Sequence, residues 1–263
     1  MIGCIIQARM GSSRLPGKVM KKIFESHTVL DFVLKQLSFS KKIEKIIVAT
    51  TNLKEDDIIC NYLKAKKIEF FRGSSDDVLD RYFQCAQKFS FEVIVRITAD
   101  NPLVDPEIVD NVIEKFLNNK CDFASNTLIR TFPYGTEVEV FSIESLEKAW
   151  QNAVKPSERE HVTPFIQDPK NKFNLVNLEH KNDQSFLRLT VDRSKDLKLV
   201  QEILKNISKQ PILMNDIINL YKNKPDIFEI NKNVKHDGYI SSLKRDEEFL
   251  KSKELEKSQN VKN

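Results

Sequence analysis

Short apolar runs alternate with amphipathic helical stretches up to about residue 118, and nothing else in the chain restricts its fold as strongly. Ile2–Gln7, Lys45–Thr50, Ile68–Phe71 and Phe91–Ile97 read as strands. Between and after them, Thr28–Ser38, Asp56–Lys66, Asp76–Phe89 and Pro106–Leu117 carry helical spacing, as with Val29, Phe32, Val33 and Leu37 in the first. Pro106-Glu107 suits a helix start. Regular alternation of this kind implies βαβ units with right-handed crossovers, and so an α/β fold around a mainly parallel sheet. Ligands of such sheets bind beyond the carboxyl ends of the strands. The segments after Gln7 and after Ile97 are therefore the places to look for chemistry.

The second half is less regular. Glu137–Phe141 alternates like a half-exposed strand, with Ser142 placed to cap a helix through Trp150. Phe186–Val191 reads as another strand, and Ser194–Ile207 and Asn215–Tyr221 as helices. A chain of 263 residues with 40% hydrophobic content fits one domain over 1–243. Residues 244–263 are charged and read as an exposed helix fraying into disorder. The balance of 42 basic against 38 acidic residues, net +4, calls for no nucleic-acid partner. No stretch nears the ~20 apolar residues that span a bilayer, and the start lacks a basic signal-peptide region, so a cytoplasmic protein without a membrane partner is expected. Cys4, Cys60, Cys85 and Cys121 form no CxxC pair and read as reduced, packed thiols.

The segment Gly11-Ser12-Ser13-Arg14-Leu15-Pro16-Gly17-Lys18 follows the first strand. Glycine lets backbone N–H groups turn toward an anion. Arg14 can grip phosphate oxygens in a fork, and Lys18 adds a point charge. This is not a P-loop. Five residues separate Gly11 from Gly17 where a P-loop has four, and Val19 stands where its hydroxyl would be.

Two acids close apolar runs. Asp100 follows Arg96-Ile97-Thr98-Ala99, and Asp192 follows Thr190-Val191. Two carboxylates at strand ends suit magnesium, which takes one or two carboxylates plus phosphate oxygens. Each could instead cap the helix after it.

Five motifs then occur in order: Gln7–Lys18 (QARMGSSRLPGK), Arg96–Leu103 (RITADNPL), Gly135–Phe141 (GTEVEVF), Glu158–Pro164 (EREHVTP) and Leu187–Leu197 (LRLTVDRSKDL). Together they resemble the acidic-sugar cytidylyltransferases, which include the CMP-sialic acid and CMP-3-deoxy-manno-octulosonate synthetases, and above all the spore-coat polysaccharide (SpsF-type) branch. The resemblance spans roughly residues 1–245. It implies a Rossmann-like nucleotidyltransferase fold and a homodimer. It implies that Ala8, Arg9, Gly11, Ser12, Ser13, Arg14 and Lys18, with Thr98 and Asp100 of the second motif, bind CTP, and that Asp100 and Asp192 hold magnesium. Asn101 stands where relatives often have Cys or Asp, and Tyr134–Glu137 where they often have Asp-Gly-Leu-Asp.

The reaction implied is attack of a sugar hydroxyl on the α-phosphate of CTP. Arg14 and Lys18 would stabilise the triphosphate charge, and Asp100 would act with them. Glu137 and Glu139, two apart on one strand face, are candidates for sugar hydroxyls. Arg159 and Arg188 are candidates for an anionic group of the substrate. Arg96 follows the same logic, whereas His161 reads as structural. His27 and His236 read as surface or packing residues. Two other readings stay open: a glycosyltransferase with a nucleotide-sugar donor, and a non-catalytic nucleotide-binding protein. The first usually needs a D-x-D motif, absent from Asp100-Asn101-Pro102.

Overall fold

Strand β1, Ile2–Gln7, lies inside the sheet with a neighbour on each edge, and its side chains show why both sheet faces must be covered. Cys4 and Ile6 point into one hydrophobic cluster and Ile5 into the other, as the two-residue period of a strand requires. The same split recurs in β2, Lys45–Thr51, where Val48 faces one cluster and Ile47 and Ala49 the other. Each fully buried isoleucine here contributes roughly 1.5–3 kcal/mol. These observations come from a computed structural model, which describes residues 1–234 and 238–260, the side chains of 238–241 and 254–260 excepted.

The remaining strands are β3 (Phe70–Gly73), β4 (Val93–Thr98), β5 (Phe123–Ser125), β6 (Glu139–Ser142) and β7 (Leu175–Asn177). They assemble in the order β3-β2-β1-β4-β6-β5-β7. β6 runs antiparallel to both its neighbours, and the other pairings are parallel. A two-stranded hairpin, Lys22–Phe24 with His27–Thr28, stands apart from this sheet.

Helices α1 (Val29–Leu37), α2 (Asp57–Ala65) and α4 (Pro106–Asn119) bury their apolar sides in the first cluster. α3 (Val78–Lys88) and α5 (Ile143–Asn152) bury theirs in the second. Two short helices follow, α6 (Pro156–His161) and α7 (Pro164–Gln167), then α8 (Ser194–Asn206), α9 (Met214–Asn223) and α10 (Gly238–Asn260). Helix starts follow local capping chemistry. Thr28 and Asp31 form a capping box, Asp77 accepts from Asp80 N at 2.8 Å, and Ser142 accepts from Ser145 N at 3.1 Å, as its sequence predicts.

The α/β architecture with a mainly parallel sheet is the one expected. The strand expected over Phe186–Val191 is absent. That segment makes one isolated bridge, Tyr134 to Arg188, and has no ladder on its other side. Its apolar side chains Leu187, Leu189 and Val191 are buried all the same, so burial with pairing on one side only produced the strand-like pattern. The four cysteines are buried and free. His27 packs edge-on against Phe32, and His236 lies outside the described residues. α10 runs across position 243, and the disorder expected at the very end falls on 261–263, outside the described residues. Among the described residues, no helix is long and apolar enough to cross a membrane.

Candidate active site

β1 and β4 lie side by side in parallel register, with Gln7 opposite Thr98, so the segments leaving their carboxyl ends emerge together. After β1 the chain turns to β2 and β3 on one side, and only later reaches β4 on the other. This is the switch point at which open α/β sheets bind ligands.

The segment after β1 is a closed, anchored loop. Met10 N donates to Asp56 Oδ1 at 2.6 Å, and Asp56 is fully buried at the entry to α2. Gly17 has φ 64°, which a side chain disfavours, and its N–H donates to Met10 O at 3.0 Å to close the loop. Val19, where a P-loop would carry a hydroxyl, is buried and pins the loop's end to the core. Lys18 is thereby aimed across the carboxyl ends of the strands.

Lys18 Nζ donates to Asp100 Oδ2 at 2.6 Å and to Asp192 Oδ1 at 3.0 Å. Arg14 grips the same Asp192 with Nε and with Nη2, the latter at 3.0 Å. Neither acid is a helix cap. Asp105 caps α4, accepting from Glu107 N at 2.7 Å. At α8 the backbone N–H groups of Asp192 and Arg193 donate to Asp196, at 3.1 and 2.8 Å. The carboxylates of Asp100 and Asp192 therefore face the cationic loop, with Arg188 Nη2 a further 3.8 Å from Asp192 Oδ2.

Asp192 is carried there by an irregular segment. Tyr134 N donates to Leu187 O at 3.0 Å, Leu189 N to Tyr134 O at 2.6 Å, and Val191 N to Asp100 O at 2.8 Å. The backbone of 187–191 is thus fixed between the turn at 134–135 and Asp100 itself.

Burial alone would lower the Lys18 ammonium's pKa, but the charges of Asp100 and Asp192 outweigh it and hold the pKa above its ordinary value. Burial would raise Asp100, and the charge and hydrogen bond of Lys18, helped by Thr98, hold it below the usual carboxylate range. Burial would raise Asp192 too, and the hydrogen bond from Arg14 and the charge of Lys18 reverse that. A lowered carboxylate stabilises the fold above its unfolded pKa, and the gain is lost as pH falls through the folded value. The stability difference between wild type and Asp192→Asn, followed by thermal unfolding, is therefore expected to hold from about pH 5 upward and to shrink below about pH 4. A raised lysine loses its contribution only as pH rises beyond about 10.4.

Two adjoining cavities open here. The first, about 390 Å³, is bounded by the loop, with Ala8, Arg9, Gly11, Ser12, Ser13, Arg14 and Lys18, and by Thr98, Asp100 and Asp192. The second, about 500 Å³, is lined by Asn101, Arg130, Glu137, Glu139 and Gln167 among others. Arg96, Thr98, Asp100 and His161 border both. In the second cavity each guanidinium is held by a glutamate: Arg96 Nη1 donates to Glu139 Oε2 at 2.6 Å, and Arg130 Nη1 to Glu137 Oε1 at 2.8 Å. Asn101 Nδ2 donates to Glu137 at 3.1 Å, so the two positions where the chain departs from its resembling family touch one another.

All of the expected nucleotide and metal residues meet around the first cavity, and Glu137 and Glu139 line the second. Arg159 and Arg188 line neither. Arg159 Nε donates to Asp77 at 2.9 Å and its Nη1 to Trp150 O at 2.7 Å. Arg188, buried, donates to Asp196 from Nε at 2.9 Å and from Nη2 at 3.1 Å. Both arginines found acids inside the fold, which the sequence pattern alone does not reveal. His161 Nε2 lies 2.7 Å from Ser242 Oγ, a partner 81 residues away. Burial holds this imidazole's pKa below its ordinary value.

Several lining residues were missed. Arg81 is only 2% exposed, on the inward side of α3 beside Val78 and Tyr82. Its Nη1 donates to Ser74 O at 2.7 Å, while its buried Nε has no partner. An arginine in the apolar stripe of a helix was the available signal. Glu160 and Arg245 also line the first cavity. Arg245 comes from a charged run with no such signal.

The donor set suits magnesium. Asp100 and Asp192 are ionised oxygen donors that converge on a single ammonium nitrogen. Among the described residues no group of three or more His, Cys, Asp or Glu could hold a metal ion.

The family described as Cytidylyltransferase matches residues 3–237. An uncharacterized protein of Methanocaldococcus jannaschii is 40% identical over 237 residues, 89% of this chain and 96% of its own. The spore coat polysaccharide biosynthesis protein SpsF of Bacillus subtilis is 30% identical over 230 residues, 84% of this chain and 94% of its own. The solved structure of a cytidylyltransferase from Leptospira borgpetersenii superposes with a TM-score of 0.84 at 35% identity, covering 89% of this chain and 99% of that one.

Proposed function

Because the chain belongs to the cytidylyltransferase family, and is a nucleotidyltransferase enzyme on that ground, we propose that it transfers CMP from CTP to a hydroxyl of an acidic sugar, releasing pyrophosphate. The observation that carries this reading is Lys18, whose ammonium bridges Asp192 in the first cavity and Asp100, which borders both cavities. In this reading CTP fills the first cavity and the sugar the second, so the α-phosphate lies at their common border. The sugar oxygen forms a bond to the α-phosphorus, the bond to the bridging oxygen of the β-phosphate breaks, and the hydroxyl proton is released to water.

Lys18 and Arg14 bind the triphosphate oxygens and offset the charge that builds on them. Ser12, Ser13 and the loop backbone fix its position, which is the larger part of the task in phosphoryl chemistry. Asp100 and Asp192 would hold magnesium, which supplies charge neutralisation on the phosphates. Glu137 and Glu139 accept hydrogen bonds from sugar hydroxyls. Arg130, stacked 3.9 Å above the Tyr134 ring, is the guanidinium best placed for a sugar carboxylate, in the role the sequence suggested for Arg159 and Arg188. The product would serve polysaccharide or glycan synthesis, as the name of the Bacillus relative suggests.

The test is pyrophosphate release with magnesium, each of the four nucleoside triphosphates in turn and a panel of acidic and neutral sugars. Release confined to CTP and an acidic sugar, and lost in Asp100→Ala, is expected. Release with another triphosphate, or with neutral sugars alone, contradicts the assignment.

A further inference from the structure

The family match ends at residue 237, yet the chain beyond it returns to the nucleotide cavity. Three contacts fix the start of α10 against α6. Ser242 Oγ, buried, lies 2.7 Å from His161 Nε2. Asp246, also buried, accepts from Ser157 N at 2.8 Å, satisfying an N–H of the first turn of α6 that has no intrahelical partner. Asp246 also accepts the Ser157 hydroxyl. These anchors place Arg245 at the mouth of the first cavity, where its Nη2 pairs with Glu160 and donates to Ser242 Oγ at 2.9 Å.

We infer that Arg245 is a phosphate-binding residue of the nucleotide site, supplied by a helix outside the family-matched segment. The guanidinium already holds an oxyanion, the Glu160 carboxylate, through Nη2, and its planar set of donors suits a phosphate equally well. It shares a cavity with Arg81, a buried guanidinium whose Nε has no partner and for which, among the described residues, no paired carboxylate is found. An anion entering the cavity would compensate such a buried charge. Three further cations, Arg9, Arg14 and Lys18, line the same space. The inference rests on the proposed CTP site and adds to it one contact that the common part of the family does not contain.

The experiment is calorimetric titration of CTP and of cytidine into wild type, Arg245→Ala and Lys244→Ala. Lys244 is exposed on the same turn and absent from both cavities, so its replacement removes an equal charge without the contact. Arg245→Ala is expected to weaken CTP roughly 10-fold or more, leaving cytidine affinity unchanged, while Lys244→Ala binds both as wild type does. Thermal unfolding of the variants separates lost binding from lost structure. Equal CTP affinity in wild type and Arg245→Ala, or equal weakening of CTP and cytidine, overturns the inference alone. Failure of the wild type to bind any nucleoside triphosphate overturns the underlying site as well.

Discussion

Lys18→Ala is expected to lower kcat/KM for CTP by roughly 10²–10³-fold, the loss seen when one preorganised charge at a reacting oxyanion is removed. The expectation comes from where the ammonium sits. It touches both carboxylates, at 2.6 and 3.0 Å, in the first cavity, and one of them, Asp100, also borders the second. Its removal takes a positive charge from the phosphates and leaves Asp100 and Asp192 with less compensation. The pKa of one of them must then rise toward or beyond its ordinary value. Arginine does not repair the loss, because a planar fork cannot reproduce a point charge shared between two acids. Steady-state pyrophosphate release, with circular dichroism as the check on folding, measures the effect. Activity within about threefold of wild type in Lys18→Ala would remove Lys18 from the centre of the site.

The largest stability effect is expected at Gly135, whose N–H donates to the Glu137 carboxylate at the edge of the second cavity at 2.9 Å. Its φ is 99°, and a Cβ there would stand 2.2 Å from Thr190 N and 2.5 Å from Leu189 C. Both neighbours are backbone, so no side-chain rotation relieves the clash. Gly135→Ala must either strain the turn or push the 187–191 segment away, at a cost on the order of 3 kcal/mol. For a domain of this size that corresponds to a fall of roughly 6–12 °C in Tm. The same push moves Asp192 relative to Lys18, because Val191 N is bonded to Asp100 O at 2.8 Å. CTP turnover at a permissive temperature is therefore expected to fall along with Tm. An unchanged Tm would mean that the contact between the turn and 189–190 is not needed for the fold.

The parts of this site that were legible in the sequence are those dictated by local rules. β1 and β4 announce themselves as apolar runs, and their carboxyl ends carry the Gly11–Lys18 loop and Asp100. Val19 could be separated from a P-loop hydroxyl by identity alone. Asp192 was found for a partly mistaken reason. It does not end a strand, and what delivers it is the one-sided pairing of 187–191 with Tyr134. Arg159 and Arg188 were misdirected because their acids, Asp77 and Asp196, become neighbours only through tertiary packing. Asp56, the buried anchor of the loop, lies 46 positions from Met10 N and looks like an ordinary helix-start residue. Arg245 was beyond reach for the same reason. A cation in a charged stretch reads as solvated surface until the helix is seen to return to α6.

The central claim is that the phosphorus attacked is the α-phosphorus of CTP, held between Lys18 and the second cavity. The most direct measurement is the fate of CTP labelled at the α-phosphate, incubated with the protein, magnesium and an acidic sugar. The account predicts that the label passes into a CMP-sugar while the pyrophosphate released is unlabelled. Label remaining in CTP, or appearing in free phosphate or pyrophosphate with no sugar conjugate, would contradict it.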